Sequence, residues 1–320
     1  MLYIVLLICS FVLTYFIKQH AIKNALVAEV TERSSHSVPT PHGGGIAIAV
    51  VWFMGLSYLF FNNQVDTQLY YALMVGVVIS VVSYLDDLYE LSAKVRLVVQ
   101  AIVACLGLYF LGGFSELNLF LFSLENQFIT NIFALFMIIW FINLYNFLDG
   151  IDGYAGAEAI FLALGGYILF GGAHFLVLSV AVGGFLVWNW HKAKIFMGDV
   201  GSTLLGYNIA IFTIYYANLH SRDFWIWIVL FGVFWFDATL TLIRRYKNNE
   251  SLSTPHKKHA YQRLNQAGYR HDKVVLLAMG INIVNFVLIS LNTNLFIGLF
   301  LSCCVLYFSM KFVDRQKEFI

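Results

Sequence analysis

Eleven apolar runs constrain this chain more than any other feature. Each is close to the ~20 residues that a helix needs to cross a bilayer. They fall near residues 2–17, 44–61, 68–85, 95–112, 129–145, 154–171, 173–189, 201–218, 223–242, 274–291 and 294–312. Hydrocarbon offers no partner to backbone N–H and C=O groups, so such segments cross as helices. The expected fold is all-α: a polytopic integral membrane protein of eleven transmembrane helices, with residues 1–320 forming a single transmembrane domain. Composition agrees. The chain is 60% hydrophobic and 12% charged, with a mean hydropathy of +0.76, whereas a soluble chain carries about 25% charged residues. A net charge of +1 gives no bulk basic field for nucleic acid.

Smaller signals refine this outline. The first run has neither a basic stretch before it nor a small-residue cleavage site after it, so it reads as a retained helix rather than a signal peptide. "FGGAH" at 170–174 is the turn signal that divides 154–189 into two helices. Alternating apolar residues over 113–128 predict a short hairpin. Cys9, Cys105, Cys303 and Cys304 all lie inside apolar runs and read as buried packing residues without a disulfide framework.

Charge sets the expected orientation. With the N-terminus outside, every second connection is cytoplasmic, and all of the 19 Lys and Arg except Arg222 fall on that side. The opposite orientation inverts the ratio. The polar chemistry then collects on the cytoplasmic side, in "SSHSVPTPHGGG" (34–45), "YLDDLYE" (84–90), "NLYNFLDGIDG" (143–153), "HKAKIFMGDVGS" (191–202) and "STPHKKHAYQRL" (253–264).

Each stretch has a bland and a chemical reading. Asp86 and Asp87 repel one another at a helix C-terminus, which suits a divalent cation plus a general base; a solvated end near Lys94 and Arg96 is the alternative. Asn143, Asn146, Asp149 and Asp152 recur every three residues, so neighbouring members share a helical face. Amides beside carboxylates suit a hard cation and its phosphates. Asp199 stands between Gly198 and Gly201 at a helix start, where free N–H groups favour an anion. Glycines before another helix, at 43–45, also suit phosphate, though a glycine loop alone says little. His256, Lys257, Lys258, His259 and Arg263 supply cations for a diphosphate; alone they would read as a basic topology loop. A zinc site on the two histidines fits poorly among so many carboxylates and amides. Asp237 is the ionisable residue within the spans and reads as serving the site or pairing with the basic end of its helix. Together these loops suit transfer of a phosphate-containing group from a soluble donor to a lipid, chemistry that rests on positioning and charge neutralisation.

The motifs "SVPTPHGGG", "YLDDL", "NLYNFLDGIDGYAG", "FMGDVGSTLLG" and "PHKKHAYQRL" stand in the order seen in the polyprenyl-phosphate N-acetylhexosamine-1-phosphate transferases, which the chain resembles from about residue 34 to 264. The resemblance implies transfer of a sugar-1-phosphate from a UDP-sugar to undecaprenyl phosphate, with release of UMP. Mg2+ is the implied cofactor, with Mn2+ as a substitute. The implied setting is the bacterial inner membrane, with the active site and C-terminus cytoplasmic, the N-terminus periplasmic, and room for a homodimer. Carried over by motif, Asp199 is the implied metal ligand, with Asn146 beside metal and donor. Asp149 and Asp152 are implied donor and nucleoside contacts. One of Asp86 and Asp87 is implied to deprotonate or orient the lipid phosphate. His256 and His259 are expected near the donor diphosphate, and Arg263, Thr40 and Gly44 complete the implied substrate site.

Two departures narrow the branch. The peptidoglycan translocase carries three consecutive histidines where this chain has "HKKH", and basic residues where this chain has Ser37 and Val38, leaving Arg33, His36 or His42 to supply that charge. "PHKKHAYQRL" looks like the O-antigen-initiating branch, whose donors include UDP-GlcNAc and its 6-deoxy relatives. In-line attack by the lipid phosphate and a two-step route through an aspartyl-phosphate both remain open. A transporter of lipid or nucleotide sugar is the rival class, but transporters keep their ionisable residues near the bilayer midplane.

Overall fold

A computed structural model describes residues 1–24, 39–252, 254, 256–291 and 294–319, and the backbone alone of 27–28. Arg33, His36, Ser37, Val38 and Pro255 lie outside the described residues. The helices are α1 (Leu2–Lys23), α2 (Gly45–Phe61), α3 (Thr67–Met74), α4 (Gly76–Tyr89), α5 (Ala93–Leu111), α6 (Gln127–Phe147) and α7 (Tyr154–Phe170). They continue with α8 (Ala173–Asn189), α9 (Asp199–Leu219), α10 (Asp223–Leu230), α11 (Gly232–Lys247), α12 (Ala260–Gln266), α13 (His271–Leu291) and α14 (Leu295–Gln316). Every apolar run coincides with one helix or with a broken pair. The run at 68–85 breaks between α3 and α4, and that at 223–242 bends by 75° between α10 and α11.

Among the described residues six helical segments are long and apolar enough to cross a membrane, or seven with the bent pair. Helices α2, α7 and α8 are apolar but shorter. The turn at 170–174 forms as expected, with Gly171 and Gly172 at φ +73° and +97°. The hairpin forms too, as Leu117–Asn118 paired antiparallel with Ser123–Leu124. Helix α12 appears inside what read as a basic loop.

Helix α9 runs through the centre of the bundle, buried at every position from Val200 to Ile214, with α2, α4 and α6 packed around it. Small residues permit this crowding, because backbones approach closely only where Cβ is absent. A Cβ on Gly45 would lie 2.3 Å from the Gly201 nitrogen, and one on Gly206 would lie 2.5 Å from the Phe141 carbonyl oxygen. Helix α1 lies outside, against α2 and α8, while α13 and α14 pack beside α10, α11 and α12.

Two expectations change. Cys9, Cys105 and Cys303 are exposed and Cys304 is half-exposed, so they face out of the bundle rather than into its core. Asp237 is also not the sole ionisable group among the apolar runs. Glu158, fully buried in α7, accepts a 2.5 Å hydrogen bond from Asn282 Nδ2 on α13. A run reads as apolar despite one carboxylate when a neighbouring helix supplies the partner.

Candidate active site

The ends of α4, α5, α6, α9, α11 and α12 enclose a cleft of about 560 Å³. Asp86, Asn146, Asp199, His256 and His259 line it, joined by Arg96, Gln100, Asn143, Thr203, Thr254 and Gln262. Ile79, Val82, Leu97, Val99 and Leu242 form its apolar wall.

Asp86 and Asp87 follow one another on the last turn of α4, so their side chains project about 100° apart. Asp86 faces the cleft. Its Oδ1 accepts the Leu91 N–H at 2.7 Å, and its Oδ2 accepts from Arg96 Nη1 at 3.1 Å. The same guanidinium nitrogen stands 4.0 Å from Asp199 Oδ2. Asp87 turns the other way, toward a smaller groove shared with His20, His42, Gly43 and Tyr84. Its carboxylate stands beside the start of α9, near Gly198 and the backbone of Asp199. The two aspartates therefore divide their work instead of jointly facing one ion.

Gly198 permits this approach. Its φ of +75° suits glycine, and a Cβ there would lie 3.3 Å from Asp87 Oδ2. The preceding chain is fixed by the first loop: Phe196 N–H donates to the Pro41 carbonyl, and Gly44 and Gly45 N–H donate to the carbonyls of Phe196 and Met197 at 2.9 and 2.8 Å. Gly44 is glycine for packing, since its Cβ would meet the Phe185 ring at 2.4 Å. Thr40 is buried in a short ribbon, Thr40–Pro41 against Val27–Ala28.

The four polar residues spaced by three do not share one face, because α6 ends at Phe147 and the helical register ends with it. Asn143 exchanges amide hydrogen bonds with Gln100, at 2.7 and 3.4 Å. Asn146 Nδ2 donates to Asp199 Oδ1 at 2.8 Å and to Ser202 Oγ at 3.0 Å. Asp149 lies past the helix end. Burial, reinforced by the Asp199 carboxylate, pushes its carboxyl up to about 7. Gly150 leaves room for Tyr261, whose hydroxyl would lie 2.0 Å from an added Cβ.

Asp152 is drawn away from the cleft. Its Oδ2 meets His191 Nδ1 at 2.9 Å, His271 Nδ1 at 3.2 Å and the Ala193 N–H at 3.2 Å. Burial raises its carboxyl, but the hydrogen bonds from His271 and His191 outweigh this and hold it below the usual carboxylate range. The three side chains are close enough to be considered as metal ligands. The 2.9 Å contact with His191 is an ordinary hydrogen bond, however, and His271 Nδ1 accepts the Asp152 backbone N–H at 3.3 Å, which accounts for the cluster without an ion.

His256 and His259 enter the cleft from the segment before α12, their rings 4.8 Å apart. Burial, with His259 and Arg245 nearby, lowers His256 to about 4, so it is neutral at physiological pH. Arg263 is not in the cleft. It is 2% exposed, donates to Asp314 Oδ1 at 2.8 Å and the Lys317 carbonyl at 2.9 Å, and packs on Met310. Its position on α12 turns it toward α14.

Arg96 is the cleft residue that sequence reasoning weighed least, as a bland neighbour of the aspartates. Gln100, one turn further along the same helix, and Asn143 carried the signal that was available: polar residues at helical spacing inside apolar runs. Nothing local marked His191 and His271 as the partners of Asp152, since one comes from the loop before α9 and the other from the start of α13.

These features define a polytopic helical membrane protein with an oxygen-rich cleft at one end of its bundle. The family model for glycosyl transferase family 4 matches residues 69–217. The probable undecaprenyl-phosphate N-acetylglucosaminyl 1-phosphate transferase of Bacillus subtilis is 33% identical, covering 86% of this chain and 79% of the relative. The undecaprenyl-phosphate alpha-N-acetylglucosaminyl 1-phosphate transferase of Thermotoga maritima is 27% identical, covering 96% of both chains. The decaprenyl-phosphate N-acetylglucosaminephosphotransferase of Mycobacterium tuberculosis is 28% identical, covering 83% of this chain and 76% of the relative. The chain belongs to this family, the polyprenyl-phosphate hexosamine-1-phosphate transferases of glycosyl transferase family 4.

Proposed function

We propose that the protein transfers an N-acetylhexosamine-1-phosphate, or its 6-deoxy counterpart, from a UDP-sugar to undecaprenyl phosphate. UMP is released, and the product starts a lipid-linked surface glycan such as O-antigen. The reaction takes place at the cytoplasmic face of the bacterial inner membrane, on a bundle of eleven spans with a periplasmic N-terminus. The observation that carries this reading is that one cleft has both an apolar wall and a floor of carboxylates, amides and imidazoles. A polyprenyl phosphate needs both. The names of the relatives favour GlcNAc-1-phosphate as the transferred group.

The donor set fits Mg2+, because Asp199, Asp86 and Asn146 are hard oxygen-bearing groups in one cleft and no thiol is near. Asp199 would hold the ion with Asn146 beside it. Bound there, Mg2+ would neutralise diphosphate charge. The chain's own groups do the rest. Arg96, shared between Asp86 and Asp199, offers a guanidinium to an incoming phosphate. A lipid phosphate oxygen attacks the sugar-bound phosphorus in line. The bond from that phosphorus to the bridging oxygen breaks, and UMP leaves. Asp86 faces the attacking phosphate, while Asp87 stands behind Asp199 at the start of α9. Neutral His256 donates a hydrogen bond to the donor rather than a charge.

The test is purified protein with labelled UDP-sugar and undecaprenyl phosphate. Labelled lipid and UMP are expected, and competition among UDP-GlcNAc, UDP-N-acetylfucosamine and UDP-N-acetylquinovosamine identifies the sugar. Absence of lipid-linked label with every donor refutes the reading. Asp199→Asn removes about 3 kcal/mol of charge stabilisation, roughly 100-fold in rate; undiminished product at saturating Mg2+ would rule out the metal role.

A further inference from the structure

Helix α11 grips the histidine-bearing segment with two buried charged side chains, Arg245 and Asp237, about two turns apart. Arg245 secures its beginning. The Arg245 Nη2 donates to the carbonyls of Ser251 and Thr254, and Nε donates to Glu250 Oε2 at 3.2 Å. Lys258 Nζ closes on the other oxygen of Glu250 at 2.7 Å. None of these contacts touches an imidazole.

Asp237 secures the end, and it does touch one. Both of its carboxylate oxygens lie 2.9 Å from the Ala260 nitrogen, and Thr241 Oγ1 donates to Oδ1 at 3.1 Å. Oδ1 also faces His259 Nδ1 at 3.5 Å. That nitrogen is buried and has no hydrogen bond of good geometry among the described residues, although the His259 side chain also stands over the Gln262 N–H at the start of α12. Asp237 is 2% exposed, and among the described residues its only ion-pair partner is His259, not the arginines at the end of its own helix. A buried carboxylate without a Lys or Arg is costly unless its hydrogen bonds matter. The ring of His259 is also flanked by Phe147 and Tyr261, stacked at 6.5 and 6.0 Å between centroids, which restricts its rotation.

We propose that Asp237 is a positioning residue that fixes the imidazole of His259, keeping Nδ1 toward itself and Nε2 for the phosphate oxygens of the donor. The partner of one ring nitrogen decides what the other can do. The inference rests on the transferase reading given above. The competing role is a purely structural cap on α12, through the Ala260 N–H.

Asp237→Asn separates the two, because an amide oxygen still accepts that N–H while the carboxylate is lost. We expect a melting temperature near wild type, kcat/KM lower by about 10- to 100-fold, and an altered pH profile. The double variant Asp237→Asn with His259→Ala should be no worse than His259→Ala alone. Unchanged kcat/KM and pH profile, or losses that simply add, would overturn the proposal. A second pair leaves Asp237 intact: His259→Gln, whose amide reaches where Nε2 stood, should retain more activity than His259→Asn, whose amide faces Asp237. Equal activity of that pair would also overturn it. Wild-type protein making no lipid-linked product refutes the transferase reading instead.

Discussion

Asp86 and Asp87 show how much one residue of offset matters on a helix. Adjacent in sequence, they serve different grooves, one facing Arg96 and the other the groove beside His42 and Gly43. Sequence could pair them but could not aim them. The same holds for Arg263, which motif position placed in the substrate site and the fold placed against Asp314. Arg263→Ala should therefore cost about 1–2 kcal/mol of stability, since its hydrogen bonds are lost while Asp314 keeps both bonds to Arg244. The melting temperature should fall while donor KM in the folded fraction stays near wild type. His256 gives a pH test. Its value in the folded protein is lowered from the ordinary 6.5 to about 4. Below pH 6.5 the unfolded chain takes up a proton that the folded chain refuses, so stability is lost as pH falls from about 6.5 toward 4 and is flat above. In melting curves across that window, wild type should lose stability relative to His256→Gln, and the two should run parallel above it.

At the scale of helices, the length of the apolar runs was enough. All eleven runs became helices, and the one strong turn signal, the glycine pair at 171–172, was honoured. Breaks within runs were not legible, because the bend between α10 and α11 has no proline to announce it. Nor was α12, whose short polar sequence buries Tyr261, Arg263 and Leu264 only once α13 and α14 are in place. The register of 143–152 failed for a related reason: spacing predicts a shared face only while the helix lasts. The close passage of α2 over α9 is a firmer matter. Gly45→Ala puts a methyl 2.3 Å from the Gly201 nitrogen, so backbone must move. Overpacking of this kind costs about 1–3 kcal/mol. Gly45→Ala should melt lower and lose turnover as well, because Asp199 stands at the end of α9 that is displaced.

Across the whole molecule, the five loops singled out by their chemistry do not converge on one point. Three of them reach the cleft directly, through Asp86, Asn146 and His256 with His259. The fourth brings Asp199 to the cleft and sends His191 to Asp152, and the first loop supports it from behind through Gly44 and Gly45. Loop composition located the site; only the packing assigned structural and reactive parts. The apolar wall gives the last test. Reactivity of the acceptor should rise with prenyl chain length, since each buried CH2 is worth about 0.8 kcal/mol. Leu242→Glu should flatten that dependence in acceptor titrations and leave donor KM unchanged. Equal flattening of neither or both would locate the prenyl chain elsewhere.

The central position of α9 has a consequence for biogenesis. The helices made before it, α4 and α6 above all, gain their main packing surface only when it arrives. A nascent chain arrested before residue 199 would carry Asp86, Arg96 and Asn146 on α4, α5 and α6, which touch one another through α5 but lack the central helix against which α4 and α6 chiefly pack. Insertion of the early helices and assembly of the cleft are thus separate events in time, and the histidines before α12 are delivered last.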